Sequence, residues 1–343
     1  MHPLFVKLGV ALPIIQAPMA GGTDTPELVA AVGDAGALGS LGCGYLAPGA
    51  IETLAADMRT RMDRPFALNL FVRGDASDDP LAAARVAPVL APFRRELGLP
   101  PAGKPAAPPP SFPAQLAAVL RARPRVFSFT FGAPSAVQVA ELRAAGIVVA
   151  GTATSLDEAE ALAALGVDAI CAQGSEAGGH RGTFLGRVHD ALVGTIALTR
   201  QIVARVPVPV IAAGGIMDGA GIRAALALGA AAVQLGTAFM LCPEAGTHPA
   251  HRAVIASPSA RPTVVTRAFS GRAARGVRNR FTDAFEDIDA AAFPQQQGLT
   301  AEIRAAAAAQ GRVDLMQLWA GQGAALARAL PAADLVRTIA SEA

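Results

Sequence analysis

The chain has 343 residues, of which 52% are hydrophobic and 16% charged, and its formal net charge at pH 7 is +2. This composition predicts a globular protein with a large buried core, built as about two domains or as one α/β barrel with additions. Lysine and arginine are scattered, which argues against a nucleic-acid-binding surface. The exception is a group of five arginines at residues 267–280, which we interpret as a solvated or phosphate-facing strip on a loop.

Eight short apolar or β-rich runs recur along the chain, and each ends in or near Gly, Pro, Asn or Gln. They lie at residues 14–17, 37–41, 66–71, 126–131, 147–151, 169–173, 210–213 and 232–235. Nearly continuous apolar runs are typical of parallel strands that are covered on both faces. The runs therefore predict eight parallel strands.

Helical segments with recognisable start signals separate these strands. Thr25 before a proline is typical of an N-cap followed by proline at the first helical position. Ser155 with Glu158 three residues later predicts a capping box, and Asp218 predicts the cap of a helix that ends at Gly229. This alternation predicts a (β/α)8 TIM barrel, whose chemistry takes place on the loops after the strand C-terminal ends. A doubly wound open sheet is the alternative, but no Gly-x-Gly-x-x-Gly sequence follows the first strand.

Two regions depart from a simple barrel. Residues 74–113 are rich in Pro and Ala and predict an insertion or lid within a barrel domain that spans residues 1–243. Residues 244–343 contain the arginine group and Ala-rich helices at 300–309 and from Ala325 onward. We expect them to form a C-terminal helical cap near the barrel mouth, with residues 319–323 (Trp-Ala-Gly-Gln-Gly) as its most distinctive loop.

The cysteines and the longest uncharged run predict an intracellular protein. Three cysteines stand singly in apolar stretches without metal-binding spacing, which is typical of small core residues in a reducing compartment. They are Cys43, Cys171 and Cys242. The uncharged run 224–243 is about long enough to span a bilayer, but glycines and polar residues divide it into a helix end and a strand. We therefore expect a cytoplasmic protein with no membrane segment and no metal site.

One histidine lies inside a glycine-dense turn at residues 173–182 (Gln-Gly-Ser-Glu-Ala-Gly-Gly-His-Arg-Gly), directly after an apolar run. Glycine allows a backbone to approach a ligand closely, and histidine titrates near neutral pH. We therefore predict a functional role for His180. The other four histidines lie in the terminus or on predicted surface loops and are interpreted as structural or incidental. They are His2, His189, His248 and His251.

Polar groups and glycines follow several of the predicted strands. Glycines after the seventh strand and residues 234–237 after the eighth occupy the place where barrels commonly hold a phosphate. The uncharged side chains of Asn69, Gln173 and Gln234 both donate and accept hydrogen bonds, which suits a flat heterocycle such as the isoalloxazine ring of a flavin. There is an alternative to each of these interpretations. The glycines could serve only to form tight turns, and the amide side chains could be hydrogen-bonded to other groups inside the barrel.

Seven segments together carry a family resemblance that covers nearly the whole chain in order. They are residues 13–22 (Pro-Ile-Ile-Gln-Ala-Pro-Met-Ala-Gly-Gly), 128–132, 173–182, 212–216, 234–237, 266–272 and 319–323. In these segments the chain resembles the nitronate monooxygenases, FMN-dependent barrels formerly called 2-nitropropane dioxygenases. The first and last segments are the most particular to the first class of that family, whereas the glycine-histidine turn also resembles that of flavin enoyl and quinone reductases.

The resemblance implies a set of site residues. His180 would face the substrate above the flavin, and Met19 and Ala20 would lie close to the flavin ring. The residues implied to bind FMN are Asn69, Gln173, Gly178, Gly215, Gln234, Leu235, Gly236 and Thr237. Two departures stand out, because Thr130 occupies a position where relatives often have histidine, and Tyr45 is the single tyrosine where relatives place several.

The activity that the resemblance implies is oxidation of alkyl nitronates such as propionate 3-nitronate, and of nitroalkanes, with dioxygen to a carbonyl compound and nitrite. The partners would be a small nitronate and dioxygen, and the protein a monomer or homodimer. An NAD(P)H-dependent flavin reductase of enoyl or quinone substrates is the nearest alternative. A flavin-free isomerase or lyase barrel is a third, although the lysine or carboxylate that it normally needs is not found beside Asn69, Gln173 or Gln234.

Overall fold

Eight parallel strands form the wall of a barrel in the computed structural model, which describes residues 2–72, 79–101 and 110–343. Strands are numbered in chain order. The wall consists of β1 (Ile14–Gln16), β2 (Gly39–Gly42), β3 (Phe66–Phe71), β4 (Val126–Thr130), β5 (Val148–Ala153), β6 (Ala169–Gln173), β8 (Val210–Ala213) and β9 (Ala232–Leu235). Strand β7 (Gly179–His180) belongs to a second sheet. Each predicted strand is confirmed to within two residues at either end.

The barrel closes between its first and last members. Neighbouring strands pair in order around the sheet, and β1 pairs in parallel with β9. A bridge between Ile15 and Leu38 joins β1 to the chain just before β2. Here the Gln16 N–H donates to the Leu38 carbonyl at 2.9 Å, and the Leu38 N–H donates to the Ile14 carbonyl at 3.0 Å. The predicted (β/α)8 barrel is therefore confirmed, and the open-sheet alternative is wrong.

Helices connect the strands and continue into the C-terminal region. They are α1 (Pro3–Leu8), α2 (Pro26–Asp34), α3 (Pro48–Arg61), α4 (Pro80–Glu96), α5 (Phe112–Ala122), α6 (Ala136–Ala144), α7 (Leu156–Leu165), α8 (Thr195–Val203), α9 (Gly219–Ala227), α10 (Pro249–Ile255), α11 (Arg280–Asp283), α12 (Gln295–Leu299), α13 (Ala301–Ala309) and α14 (Ala332–Ser341). None of the helices in the described ranges is long and apolar enough to cross a membrane.

The predicted helix starts are largely confirmed by the hydrogen bonds at their caps. The Thr25 hydroxyl accepts from the Leu28 N–H at 3.1 Å, and the Asp218 carboxylate accepts from the Gly221 N–H at 2.9 Å. Ser155 caps α7 through the Glu158 N–H, but only this half of the capping box forms. The Glu158 carboxylate instead accepts from the backbone and hydroxyl of Thr154 and from the loop after β7, because that loop supplies donors at a more buried position.

Three clusters of apolar side chains form the core of the barrel. They leave the C-terminal ends of the strands polar. Apolar side chains between the strands and the outer helices form two large clusters. A smaller cluster fills the barrel interior, where Phe5 and Leu8 of α1 close its N-terminal end. The opposite end of the barrel is therefore the end at which ligand-binding groups collect.

The C-terminal region forms a further layer above that polar end. Strands β10 (Thr263–Thr266) and β11 (Ala274–Val277) pair antiparallel, and β11 also pairs with β7 next to His180. The aromatic core of this layer includes Phe93 of α4, whose ring centroid lies 5.0 Å from that of Phe281. Helix α4 therefore packs with the cap, although it belongs to the predicted insertion 74–113. Division into domains 1–243 and 244–343, and a lid role for the insertion, stay predictions; residues 73–78 and 102–109 lie outside the described residues.

Two expectations for this region are corrected. The last helix was expected from Ala325 onward, but only a 3-10 turn occurs at Ala324–Leu326, and α14 begins after Pro331. The arginine group at 267–280 was expected on a solvated or phosphate-facing loop. Part of it instead forms the buried strand β11, because carbonyl groups of neighbouring loops accept hydrogen bonds from Arg272 and Arg275.

Candidate active site

A cavity of about 670 Å³ opens at the C-terminal ends of the strands and reaches up to the cap. His180, Met19 and Ala20 line this cavity. Seven of the eight predicted FMN-binding residues also line it: Asn69, Gln173, Gly178, Gly215, Gln234, Gly236 and Thr237. Leu235 differs, because its side chain is buried in the core between barrel and helices. Any contact of Leu235 with a ligand is therefore limited to its backbone.

The three amide side chains stand on strands β3, β6 and β9. Asn69 donates to the Ser128 hydroxyl at 2.9 Å, and Gln234 donates to the Cys171 sulfur at 3.4 Å. Both polar atoms of the Gln173 amide form hydrogen bonds. The oxygen accepts from the Gly182 N–H at 2.8 Å, and the nitrogen donates to the His180 carbonyl at 3.0 Å. Gln173 thus shapes the histidine turn itself, in addition to lining the cavity.

His180 is oriented by a hydroxyl and by aromatic rings. Its Nε2 lies 2.8 Å from Ser270 Oγ, and that oxygen lies 3.1 Å from the Arg272 carbonyl. The hydroxyl has one hydrogen, which either of these acceptors can take, so the imidazole tautomer sets the direction of the bond between Ser270 and His180. The imidazole centroid lies 5.4 Å from Trp319 and 5.6 Å from Phe131. These contacts fix one orientation of the imidazole.

Buried arginines hold the histidine turn in place. Arg181 is fully buried, and its guanidinium donates to the carbonyls of Gly174 at 2.6 Å and Gln173 at 2.8 Å. Arg272 lies 4.0 Å above the Phe131 ring and donates to the Arg181 carbonyl, and Arg275 donates to the carbonyl of Ser175 at 2.8 Å. Burial lowers the pKa of both Arg181 and Arg272 to about 10, so both guanidinium groups remain charged at neutral pH.

The glycines beyond β8 and β9 form a backbone cradle. A Cβ on Gly178 would lie 2.5 Å from the Gly321 nitrogen, so the histidine turn and the cap loop touch through their backbones. Thr237 Oγ1 accepts from the Gly321 N–H at 2.9 Å. A Cβ on Gly236, by contrast, would meet only Ala17, at 3.6 Å. Close-set backbone groups with open space beside Gly236 fit a phosphate better than a bulky side chain.

The loop after β1 is pinned by a carboxylate that the sequence did not single out. Asp24 Oδ2 accepts from the Met19 N–H at 2.6 Å and from the Gly42 N–H at 2.7 Å. Burial raises the pKa of Asp24 to about 6, although the two N–H groups oppose this rise. Asp24 therefore positions the Met19 segment along the cavity wall.

The cap contributes a cation to the far end of the cavity. Arg304 of α13 lines the cavity and donates to Thr300 Oγ1 at 3.2 Å, to Gln317 Oε1 at 3.3 Å and to the Gln297 carbonyl at 2.9 Å. These acceptors are all uncharged, and burial lowers the pKa of Arg304. The one sequence signal for it was a single arginine in the Ala-rich stretch 301–309.

Tyr45, Phe71 and Phe131 form an apolar wall of the same cavity. The ring centroids of Tyr45 and Phe71 lie 5.2 Å apart, and those of Phe71 and Phe131 lie 4.5 Å apart. Thr130, at the position where relatives often have histidine, also lines the cavity. Phenylalanine rings therefore stand beside the single tyrosine at this end of the site.

The remaining histidines divide into two groups. His2 and His248 cap α1 and α10 through Nδ1, and His189 is exposed, as expected for structural or incidental residues, although His248 also lines the cavity. His251 was also expected on a surface loop, and this is wrong. It lies on α10, is buried, and lines the cavity, because the loop after β9 turns α10 back toward the cap.

The fold and the cavity define a barrel enzyme that acts at the C-terminal ends of its strands. A family model described as nitronate monooxygenase matches residues 3–342. A nitronate monooxygenase from Pseudomonas aeruginosa is 46% identical, with 98% of this chain and 97% of that protein covered. A probable nitronate monooxygenase from Staphylococcus aureus is 41% identical, with 98% and 95% covered.

Solved structures agree with this assignment. The nitroalkane oxidase from Streptomyces ansochromogenes superposes with a TM-score of 0.93 at 40% identity, covering 99% of this chain and 97% of that chain. FabK from Thermotoga maritima superposes with a TM-score of 0.76 at 28% identity, covering 100% and 96%. The chain belongs to the nitronate monooxygenase family and is an oxidoreductase, as the sequence resemblance predicted.

Replacing Asp24 with Asn should change how stability depends on pH. Well below pH 3.8 the Asp24 carboxyl is protonated in both the folded and the unfolded chain. As the pH rises, the unfolded chain loses its proton first, at the ordinary pKa of 3.8, which favours unfolding until the folded carboxyl ionises near 6. Relative to Asp24→Asn, the wild-type free energy of unfolding should therefore fall by roughly 2 kcal/mol between pH 4 and 7.

Urea unfolding of both proteins across this pH range measures the difference. Asp334→Asn, at an exposed ion pair with Arg337, is the matched control and should show no comparable pH-dependent difference. A wild-type curve that runs parallel to the Asp24→Asn curve, or rises relative to it, would contradict the role given to Asp24.

Proposed function

We propose that the protein binds FMN in this cavity and oxidises alkyl nitronates with dioxygen to a carbonyl compound and nitrite. The observation that carries the proposal is one cavity lined by a backbone cradle, three uncharged amides and an oriented histidine. Membership of the nitronate monooxygenase family and the likeness to a nitroalkane oxidase support the same reaction.

The residues along the cavity fit the parts of FMN in order. The backbone at Gly178, Gly215, Gly236 and Thr237 would hold the phosphate, which is an anion suited to unpaired N–H groups. Asn69, Gln173 and Gln234 would meet the mixed donor and acceptor edge of the isoalloxazine ring. The cavity volume lies within the range of ordinary cofactor and substrate sites.

Gly236→Ala tests the cradle. The protein itself has room for the added methyl group, whose nearest neighbour would be Ala17 at 3.6 Å, so the variant should fold with an unchanged melting temperature. FMN affinity, measured by quenching of flavin fluorescence, should fall by roughly tenfold or more because the methyl group occupies the space of the phosphate. Unchanged FMN affinity in the folded variant would place the phosphate elsewhere.

Bound FMN would supply the one-electron chemistry that connects a nitronate to dioxygen. His180 has two possible tasks, which depend on the substrate. Its protonated form pairs with the charge of an anionic nitronate, whereas its neutral form removes the α-proton of a neutral nitroalkane. Ser270 holds the imidazole through Nε2, and Phe131 and Trp319 pack edge-on against the ring.

His180→Asn should keep FMN bound and lower the turnover of neutral nitroalkanes by roughly 10²-fold or more, because general base catalysis is lost. Oxygen uptake with nitroethane and with ethyl nitronate measures the two cases side by side. The pre-formed nitronate should lose less, since its proton is already removed. An unchanged rate with nitroethane would exclude the base role of His180.

The position of Arg304 in the cavity favours a substrate that carries a second negative charge beside the nitronate, such as propionate 3-nitronate. Arg304 is half-buried, so its guanidinium attracts an anion more strongly than it would in bulk water, and its hydrogen-bond acceptors in the described part of the chain are neutral. His180 and Arg304 would then bind the nitronate and the carboxylate at separate points of one cavity.

Arg304→Met should lower kcat/KM for propionate 3-nitronate by roughly 10- to 100-fold while leaving that for ethyl nitronate within about threefold of wild type. Arg304→Lys, which keeps the charge but not the planar fork, should lie between the two proteins. Equal losses with both substrates would indicate that Arg304 supports the cap and not the carboxylate.

Two rival functions predict different behaviour of the purified protein. Rapid bleaching of the flavin on anaerobic mixing with NADH or NADPH would favour an NAD(P)H-dependent reductase of enoyl or quinone substrates. A colourless protein without flavin absorbance would favour a flavin-free isomerase or lyase. Nitrite release with a nitronate, and no bleaching by either nicotinamide, is the result expected here.

A further inference from the structure

His251 has a buried nitrogen that the protein leaves without a partner. The residue lies on α10, is 8% exposed, and lines the same cavity as the predicted FMN-binding residues. Its Nε2 is shielded from solvent and makes no hydrogen bond within the described ranges. Buried polar atoms are nearly always paired, so an unpaired one that lines a cavity indicates a ligand.

The hydrogen bond of the other ring nitrogen, Nδ1, determines which kind of ligand Nε2 can bind. The imidazole makes a hydrogen bond to the Trp319 backbone that raises its pKa, as donation to a carbonyl does. Because Nε2 is unpaired, this donor is Nδ1–H. Burial outweighs that bond and lowers the pKa of His251 to about 4, so the ring is neutral at pH 7. Nε2 therefore carries a lone pair and is an acceptor.

A buried neutral acceptor selects a donor and disfavours an anion. A phosphate dianion or a carboxylate presents only lone pairs to Nε2, whereas a hydroxyl presents the hydrogen that Nε2 lacks. His251 also stands beside the phosphate cradle. It holds the Trp319 peptide, and two residues further on the Gly321 N–H donates to Thr237 Oγ1. The ligand part expected here is thus uncharged, hydroxylated and close to the phosphate.

We propose that His251 Nε2 accepts a hydrogen bond from a ribityl hydroxyl of FMN, which makes His251 a cofactor-binding residue. The inference rests on the proposed FMN site, since the ribityl chain is the hydroxylated part that joins phosphate to ring. One imidazole then links the cofactor chain to the Trp319 carbonyl, and so to the cap loop whose indole contacts His180. The same ring would then contact both the cofactor chain and the backbone of that loop.

Flavin affinity of the apoprotein tests the inference with two variants and two ligands. His251→Asn keeps an amide N–H near the position of Nδ1 but has no atom at the position of Nε2. His251→Gln places an amide oxygen near Nε2. The ligands are FMN and a flavin with an unbranched phosphopentyl chain, which keeps the ring and the phosphate but has no hydroxyls. Quenching of flavin fluorescence gives each dissociation constant.

His251→Asn should bind FMN about tenfold more weakly than wild type, yet bind the phosphopentyl flavin equally well. His251→Gln, which restores an acceptor near the position of Nε2, should bind FMN within about threefold of wild type. An equal loss with both flavins would overturn the inference, because the ring would then support only the Trp319 loop.

No loss of affinity with either flavin in His251→Asn would also overturn the inference. That result would assign Nε2 to a buried water instead. Failure of the wild-type apoprotein to bind either flavin would instead reject the FMN site itself, and the inference with it. The wild-type measurement therefore separates the two proposals.

Discussion

The site depends on the buried Arg181 guanidinium. A fully buried charge is costly unless its hydrogen bonds and countercharges are supplied. Here the carbonyls of Gly174 and Gln173 accept hydrogen bonds from its two terminal nitrogens, Glu158 and Glu176 provide favourable charge, and Nε makes no hydrogen bond among the described residues. The turn must therefore wrap around the guanidinium in one conformation. That conformation places His180, the next residue along the chain, in contact with Ser270 and Trp319.

Barrel and cap contribute different chemical groups to the cavity lining. The barrel supplies glycines after β8 and β9, uncharged amides on β3, β6 and β9, and His180. The cap supplies His251, Arg304 and Trp319. Both layers are therefore needed to complete the cavity wall.

Local patterns in the sequence were sufficient for the barrel and for much of its mouth. The eight strands followed from apolar runs with nearby turn residues, and the glycine-dense turn identified His180 without any knowledge of its neighbours. These features are encoded within a few residues of each other. The side chains at the strand ends were also predictable, because the barrel topology brings all those ends to one edge.

The residues that the sequence did not reveal act across long separations. Arg272 donates to the Arg181 carbonyl from 91 residues away, and nothing near Arg272 in the chain distinguishes it from a solvated arginine. The sequence led us to interpret His251 as incidental, because its burial against the Trp319 peptide is not visible in the neighbouring residues of the chain. Arg304 sits in an alanine-rich helix whose pattern predicts a helix and nothing more. Only the tertiary arrangement of cap and barrel gives these three residues a common cavity.

Helix α4 packs into the cap, and this contact has a consequence for how the protein is made. Arg94 of α4 pairs with Glu302 of the cap at 2.7 Å, and the two residues are 208 positions apart. Contacts of such separation form late, because a long loop must close before they stabilise anything. On the ribosome the barrel strands emerge before residues 263–341. The C-terminal ends of the barrel strands are thus uncovered during synthesis until the residues that form the cap have been made.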